Sequence, residues 1–358
     1  MRPRLAAAAA LTMFVISIAR ASDYRYEPYQ QPTSTASGWG GTLAKQVAFG
    51  RGGVDLHLIG REWVDGENMN FARGVHYTYD NATWSRYVFT PDPADSYPTG
   101  RHSTDFRFVV DASDDVHVVH EAKNYLSGEI WIGYKTSADT SLWSPSNFPH
   151  LIVEGASPRI ALHEGPSETT LHVVYKAFDS TDVYHATHAV RSLQDSVSAW
   201  SVTYITPVFF PSAAYGSVLV GDSGTVHIYG SDGGTCLEED RVYRMYHASG
   251  TPPDSALYWT LDTGPTEIDE FTDVNACNET PFAGEGSESQ DDSGVSGDLF
   301  CLVWTRLEEP PPMSTDQEQT IAIRVLDASQ DPYTWYPPLT TEAFRLSVVG
   351  DSINSGQP

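Results

Sequence analysis

The stretch Ser157 to Thr187, SPRIALHEGPSETTLHVVYKAFDSTDVYHAT, contains three short alternating segments separated by turn residues. Its central segment, LHVVYK around His172, returns as LHLIG around His57, VHVVH around His117 and VHIYG around His227. A tryptophan closes each copy, at Trp84, Trp143, Trp200 and Trp259. A repeat of about 50 to 60 residues built from short alternating strands is typical of a β-propeller.

Each copy divides into the four strands of one blade. The second copy shows this best, with DFRFVVD (105–111), VHVVHE (116–121), EIWIGYK (129–135) and a short fourth strand that opens at Trp143. A fifth copy, FCLVW, places Cys301 at the histidine position and ends at Trp335. We therefore predict an all-β propeller of four-stranded antiparallel blades.

The number of blades depends on the two ends of the chain. Five copies predict five blades, and the last segment, AFRLSVVGD (343–351), has the pattern of one more first strand. Residues 22–42 either help this strand to complete the ring or combine with it in a sixth blade. The sequence favours five blades and leaves six as the alternative.

The first 21 residues have the pattern of a secretory signal peptide. Arg2 and Arg4 precede an apolar run from Leu5 to Ile18, which ends at Ala19-Arg20-Ala21. We divide the chain into a signal peptide (1–21), an N-terminal arm (22–42) and a single propeller domain (43–358). The expected location of the protein is secreted or periplasmic.

The charge of the chain excludes two classes of partner. The formal net charge is −26, and removing the three arginines of the signal peptide changes it to −29. Such a surface repels both nucleic acid and anionic membranes, so we expect neither nucleic-acid binding nor membrane insertion.

The three cysteines predict one disulfide and one free thiol. Cys236 and Cys277 fall in two loops that a propeller places on the same face, and we predict a disulfide between them. Cys301 lies in a core strand of the fifth repeat, where we expect a buried thiol.

The repeat resembles that of the BNR or sialidase-like propellers. The resemblance rests on the Pro-x-Ile-Ala strand, the His-Val-Val-Tyr strand and the closing tryptophan, and it extends as a pattern over most of residues 43–350. It implies a protein directed at glycans. Two hallmarks of the family are missing: the sequence contains no intact Ser-x-Asp-x-Gly-x-Thr-Trp box, and no Arg-Ile-Pro segment to supply the first carboxylate-binding arginine.

The repeated histidines and tryptophans are predicted to be structural. One histidine per blade, at equivalent positions, places these rings around a circle, whereas a metal site needs three or four ligands at one point. We expect the histidines to lie between neighbouring sheets with their nitrogens bonded to turn backbone, and the tryptophans to fill the blade cores.

The candidate functional residues lie where the second strand of each blade ends, because there the repeats differ from one another. The residues four positions beyond each repeated position are Arg61, Glu121, Lys176, Ser231 and Thr305. Their neighbours in the same loops include Glu62, Trp63, Asp65, His120, Tyr175, Asp179, Glu238, Glu239, Asp240 and Arg306. Variation of this kind is expected where a pseudo-symmetric scaffold builds an asymmetric site, although charged loop residues are also commonly just solvated.

Arginines on the first strands form a second candidate set, consisting of Arg107, Arg159 and Arg345. If the first strands are innermost, all three could point into the central funnel and bind a carboxylate or sulfate. The alternative is that they form ion pairs with nearby acids such as Asp105, Asp111 and Glu164.

No arrangement of residues identifies a reaction. Glycoside hydrolysis requires two carboxyls, or a tyrosine with a glutamate, and the catalytic candidates are Glu62, Glu121 and Tyr175, with Glu238, Glu239 and Tyr243 as further choices. Nothing in their spacing selects a pair. No cofactor motif or metal-ligand spacing occurs, and calcium is the one ion that acidic turns such as Asp65-Gly66-Glu67-Asn68 leave open.

The sequence thus favours an exported sialidase-like propeller that recognises an extracellular glycan without catalysis. For the ligand-binding residues we predict Arg61, Glu121, Lys176, Arg107, Arg159 and Arg306. The first alternative is a glycoside hydrolase or polysaccharide lyase acting on an extracellular glycan, which includes anionic glycans. The second is a cell-surface scaffold that binds proteins through the long loop of the fifth repeat, residues 276–298.

Overall fold

A computed structural model describes residues 43–51, 56–63, 72–81, 83–90, 101–124, 129–178, 184–205, 216–231, 241–252, 257–273, 287–288, 298–308 and 318–347. The chain divides into two units, residues 1–40 and 41–358, and all described residues belong to the second unit. The predicted signal peptide and N-terminal arm therefore lie outside the described residues.

The described strands form five sheets, which we number blade 1 to blade 5 in chain order. Blade 1 contains β1 (Leu43–Phe49), β2 (Leu56–Trp63), β3 (Ala72–Asp80) and β4 (Thr83–Val88). Blade 2 contains β5 (Arg101–Val110), β6 (Val116–Asn124), β7 (Ile130–Thr136) and β8 (His150–Glu154). Blade 3 contains β9 (Ala156–Glu164), β10 (Thr169–Phe178), β11 (Tyr184–Ser192) and β12 (Ser201–Ile205).

Blade 4 contains β13 (Gly216–Val220), β14 (Val226–Ser231), β15 (Arg241–Gly250) and β17 (Thr263–Asp273). Between its last two strands, β16 (Tyr258–Trp259) leaves blade 4 and pairs in parallel with β12 of blade 3. Blade 5 contains β18 (Ser287–Glu288), β19 (Leu299–Glu308), β20 (Glu318–Asp327), β21 (Thr334–Tyr336) and β22 (Phe344–Ser347).

The architecture is an all-β propeller, which confirms the predicted fold class. Within each blade, consecutive strands pair antiparallel in chain order. The first strands of successive blades pack on one another, β1 on β5, β5 on β9 and β9 on β13, whereas blades 4 and 5 meet through β17 and β19. The first strands are therefore the inner strands, and the described residues form five blades.

Two details of the predicted strands were wrong. The last segment does not add another first strand, because β22 pairs with β20 at the outer edge of blade 5. Trp143 does not open a strand, since Thr140–Trp143 is a short helix, α1, whose N-cap Asp139 accepts hydrogen bonds from the backbone of Ser141 and Leu142. The fourth strand of blade 2 begins only at His150.

The repeated histidines are structural, as predicted, and each bonds to a ring on the third strand of its own blade. The Nδ1 atoms of His57, His172 and His227 lie 3.0, 3.0 and 3.2 Å from Nε2 of His76, His188 and His247. In blade 2 the partner is the hydroxyl of Tyr134, 2.8 Å from Nδ1 of His117. The expectation of backbone partners was wrong: the Nε2 atoms of His57, His117 and His172 bond to Asp114, Asp111 and Thr170 side chains.

The tryptophans close the junctions between blades. Four of them pack edge-on against the third-strand ring of the preceding repeat, with centroid distances of 5.2–5.8 Å, in the pairs His76–Trp143, Tyr134–Trp200, His188–Trp259 and His247–Trp335. Such edge-to-face contacts stabilise a core beyond the area that they bury. Trp84 departs from the prediction, because 46% of it is exposed on the outermost strand of blade 1.

The cysteine predictions are tested only in part. Cys236 and Cys277 lie outside the described residues, so their disulfide stays a prediction. Cys301 is a free, half-buried thiol, and burial raises its pKa to about 11. No helix among the described residues is long and apolar enough to cross a membrane.

Candidate functional site

The candidate site lies where the inner strands of blades 2 and 3 begin and their second strands end. Three predicted ligand-binding residues meet there, Glu121 of β6, Arg159 of β9 and Lys176 of β10. We call these three residues, with Ser157, the junction cluster.

Glu121 links the two blades. Its Oε1 accepts a hydrogen bond of 2.8 Å from the backbone N–H of Ser157, at the start of blade 3. Ser157 has φ +57°, a left-handed conformation that few residues other than glycine adopt. Because strained backbone persists only where its surroundings hold it, the Glu121 carboxylate helps to fix the first turn of β9.

Lys176 and Arg159 form a pair of like charges on the same side of blade 3. Burial, together with the nearby Arg159 guanidinium, lowers the pKa of Lys176 to about 8, and the Glu121 carboxylate opposes this shift. A guanidinium N–H of Arg159 donates to the carbonyl of Pro158 at 2.8 Å. The cluster therefore carries two cations and one carboxylate in a chain of net charge −26.

The strand register explains how blades 2 and 3 differ at equivalent positions. Arg107 lies opposite Val119 and Arg159 lies opposite Val174, so the two arginines occupy equivalent positions. The guanidinium of each donates, at 2.8 Å, to the carbonyl of the residue before it. Glu121 and Lys176 are equivalent on the second strands. Blade 2 therefore has a cation and an anion where blade 3 has two cations.

A bulge recurs in the first strands close to these residues. In β5 the register shifts between Thr104 and Arg107, and in β1 it shifts between Ala44 and Gln46. In β9 the shift lies opposite the segment Val174 to Lys176 of β10. Bulges turn the strand and redirect its side chains, and they are frequent beside active sites. The bulge in β9 contains Ser157, which the sequence analysis did not select, although the composition of Gly155-Ala156-Ser157-Pro158 is typical of a turn.

Two other candidates are core residues in the structure. Tyr175 is 2% exposed between blades 2 and 3, its hydroxyl has no hydrogen-bond partner, and burial raises its pKa well above the usual range. His120, at the equivalent position of blade 2, is fully buried, and burial lowers its pKa to about 3. Gly133 and Gly155 lie directly against these two rings, where a Cβ atom would approach within 3 Å. Tyr175 therefore packs between blades 2 and 3, and His120 packs against Phe106 within blade 2.

Arg345 does not join the other two arginines. It lies on β22, at the outer edge of blade 5, and forms an ion pair of 3.0 Å with the exposed Glu342. The prediction of three inner-strand arginines was therefore wrong for Arg345, because the last strand is an outer one.

The remaining candidates stay predictions. The structure places Arg61, Glu62 and Trp63 at the end of β2, Ser231 at the end of β14, and Thr305 and Arg306 on β19. Tyr243 lies on β15. Asp65, Asp179, Glu238, Glu239 and Asp240 lie outside the described residues. Within the described part of the chain, no group of three or more His, Cys, Asp or Glu side chains could hold a metal ion.

The junction cluster provides the chemistry of recognition. Its lysine and arginine can donate charge-assisted hydrogen bonds to an anionic group, and its carboxylate can accept hydrogen bonds from hydroxyls. The equivalent positions of blade 4 have no charge, since Ser217 and Ser231 stand there.

Comparison with known proteins gives distant structural likeness alone. No family model matches the chain, and no curated protein matches it. An α-L-arabinanase from Penicillium chrysogenum is similar in structure, with 11% identity, 75% of this chain and 70% of that chain covered, and a TM-score of 0.40. A putative exo-β-1,3-galactanase from Bifidobacterium bifidum matches at 12% identity, 83% and 89% coverage, and a TM-score of 0.39.

The β-propeller domain of the Trilobed protease from Pyrococcus furiosus is a third such structure. It has 10% identity, covers 81% of this chain and 71% of its own, and has a TM-score of 0.32. Likeness at this distance carries no argument about activity. The sialidase-like resemblance of the repeat stays a prediction.

Proposed function

We propose that this chain is an exported β-propeller that recognises an anionic glycan at the junction of blades 2 and 3 without cleaving it. The observation that supports this most is that Arg159, Lys176 and Glu121 lie close together where blades 2 and 3 adjoin. Two cations in an otherwise acidic molecule concentrate the electric field at one place, which favours an anionic group on the ligand.

The surroundings of the cluster favour binding over catalysis. Tyr175, the nearby candidate nucleophile, is buried, and its raised pKa keeps the hydroxyl protonated. Glu121 is 7% exposed and accepts a backbone N–H, so it has a structural task at the blade junction. A retaining or inverting glycosidase needs a second carboxyl within about 10 Å, and the cluster contains a single one.

The first test compares glycan binding in matched variants. Lys176→Met keeps most of the side-chain volume and removes the charge, and we expect it to weaken binding to an acidic oligosaccharide, such as an oligouronate, about tenfold. Arg51→Met is the control, because Arg51 follows β1 at the opposite end of the inner strands, in an ion pair with Glu164. Isothermal titration calorimetry measures both affinities. Equal affinities in the two variants would contradict the assignment of the cluster.

The pH dependence provides a second, independent test. Lys176 must carry its proton to bind an anion, and burial lowers its pKa to about 8. Affinity for the acidic oligosaccharide should therefore fall as the pH rises from 7 to 9, and this fall should be absent in Lys176→Met. The hydrolase alternative predicts a different result: release of reducing sugar that Glu121→Gln abolishes. Turnover of that kind would replace the binding proposal with an enzyme.

A further inference from the structure

Among the residues that the structure describes, three lysine or arginine side chains are buried in the blade cores: Lys135, Arg191 and Arg324. A buried charge is costly unless hydrogen bonds or an opposite charge compensate for it. Lys135 and Arg324 have several hydrogen-bond acceptors, whereas Arg191 has one.

Lys135 and Arg324 occupy equivalent positions on the third strands of blades 2 and 5, opposite Val118 and Leu302. The ammonium group of Lys135 donates to the carbonyls of Ser144 and Asn147 at 3.0 and 2.7 Å. The guanidinium of Arg324 donates to four carbonyls, those of Ile268, Pro337, Pro338 and Thr341. Lys135 thus holds the connection that follows its strand, and Arg324 joins the connection between β21 and β22 to β17 of blade 4.

Arg191 lacks comparable partners. It is 4% exposed at the end of β11, and its single hydrogen bond runs from its terminal nitrogen to the hydroxyl of Tyr134, at 2.9 Å. Its Nε–H is buried without an acceptor, and no carboxylate of the described residues forms an ion pair with it. Tyr134 leads on through His117 to Asp111, so the guanidinium reaches a carboxylate through two intervening side chains.

A second unsatisfied donor adjoins the first. The guanidinium carbon of Arg191 lies 4.9 Å from the centre of the Tyr134 ring and 5.5 Å from that of Trp200. Cation–π attraction to these faces offsets part of the buried charge but accepts no N–H. The indole N–H of Trp200 is also buried without a partner. Two orphaned N–H donors, one of them on a cation, therefore lie on adjoining side chains.

We propose that the Arg191–Trp200 pair, between blades 2 and 3, is a binding site for a small inorganic anion of the halide type. A halide accepts hydrogen bonds from guanidinium and indole N–H groups at once and neutralises the buried cation. Trp200 is half-buried, and Gln194 to Ser196, which follow Arg191 closely in the chain, are exposed.

The halide proposal is independent of the glycan proposal. Arg191 lies opposite Leu171, near the start of β10, whereas Lys176 lies near the end of that strand. One neighbouring group already responds to the charge: besides burial, the Arg191 guanidinium lowers the pKa of His150. A bound anion would weaken this effect and raise the pKa of His150 toward its usual value.

The first experiment measures stability as a function of chloride at constant ionic strength. Sodium chloride is exchanged for sodium gluconate, whose anion is too bulky for a buried site, so that general screening is unchanged. The expected result is a saturable rise in Tm of about 2 °C between 1 and 100 mM chloride. Arg191→Met should abolish the rise, and Trp200→Phe, which removes only the N–H donor and part of the ring, should reduce it. Arg51→Met is the control that keeps the rise.

The second experiment observes the ion directly. Crystals of the unaltered protein soaked in sodium bromide should show an anomalous scattering peak within hydrogen-bond distance of Nε of Arg191. This measurement decides the proposal even if Arg191→Met does not fold. A Tm that is the same in chloride and gluconate, or a bromide-soaked crystal without a peak at Arg191, would overturn it.

Discussion

Blades 1 to 4 and blade 5 are completed by different means. In blades 1 to 4, a histidine on the second strand bonds to a ring on the third, and a tryptophan from the next repeat along the chain covers that ring. Blade 5 has Cys301 and Ile323 at these positions. There the buried Arg324 donates to four carbonyls, and three of these lie in the connection between β21 and β22. A blade closed by ring contacts therefore depends on the tryptophan of the following repeat, whereas blade 5 is closed by hydrogen bonds from Arg324 to the connection before β22.

The largest expected effect is a loss of stability in acid, which should come from the buried histidines of the blades that have ring pairs. Burial lowers the pKa of His76 and His188 to about 3 and that of His227 to about 4, and the pKa values of His172 and His247 lie well below 6.5. These histidines bind protons more readily in the unfolded chain. Their contribution to stability is therefore complete above pH 6.5 and is lost as the pH falls from 6.5 toward 3.

We expect the free energy of unfolding to fall by roughly 1 kcal/mol per histidine for each pH unit below 6.5. Urea unfolding at pH 7, 6 and 5 measures this loss. His188→Phe should lower the slope of stability against pH by about one proton. A slope unchanged by that substitution would mean that the ring pairs do not determine the acid response.

Removing a tryptophan should have the next largest effect. Trp259 is 1% exposed and packs against His188, so Trp259→Ala should cost about 3 to 5 kcal/mol. Trp84→Ala is the matched control, because Trp84 is 46% exposed and contacts Tyr79 of its own blade. Its expected cost is under about 1 kcal/mol. Denaturant midpoints compare the two, and similar losses would show that Trp84 also closes a junction.

Arg324→Met tests the fastening of blade 5. The substitution removes the guanidinium donor from four carbonyls, of which that of Pro338 keeps the N–H of Thr341, and we expect a loss of about 3 kcal/mol. Arg345→Met, on the neighbouring strand β22, removes a cation in an exposed ion pair and should change stability by less than about 1 kcal/mol. Limited proteolysis between residues 337 and 343 provides a local readout, with faster cleavage expected only for Arg324→Met.

The cysteine at the histidine position should matter least. Cys301 is half-buried and has no counterpart ring on β20, so Cys301→Val should change the free energy of unfolding by less than about 1 kcal/mol. Burial raises its thiol pKa to about 11, and iodoacetamide at pH 8 should therefore label it slowly in the folded protein. Rapid labelling without denaturant would contradict this.

The repeat made the fold predictable, whereas the side-chain contacts between neighbouring strands were harder to predict. The second-strand histidines were found by their spacing, whereas their partners His76, His188 and His247 were not. Each partner is a second histidine that follows the first by 16 to 20 residues. That signal was present in the third strands, HYTYD, YHATHAV and YRMYHAS, but the diagonal contact depends on strand register.

The candidate site was predictable in part for the same reason. Glu121 and Lys176 were selected because the blades differ there, and Arg159 because of its first-strand position. Their meeting across two blades required the bulge in β9, which decides that Ser157 faces Glu121. The outer position of Arg345 could not be inferred, because a short apolar strand has the same pattern at either edge of a sheet.

The tryptophan contacts also imply that the blades are completed in the order of the chain. Each of Trp143, Trp200, Trp259 and Trp335 covers a ring that belongs to the repeat before it in the chain. A chain that emerges from its N-terminus during synthesis or export therefore cannot finish one blade until the next has followed. Each repeat removed from the C-terminus should expose the third-strand ring of the repeat before it. Removal of the first blade should leave the tryptophan contacts of the later repeats in place. The order of the repeats is thus also an order of assembly.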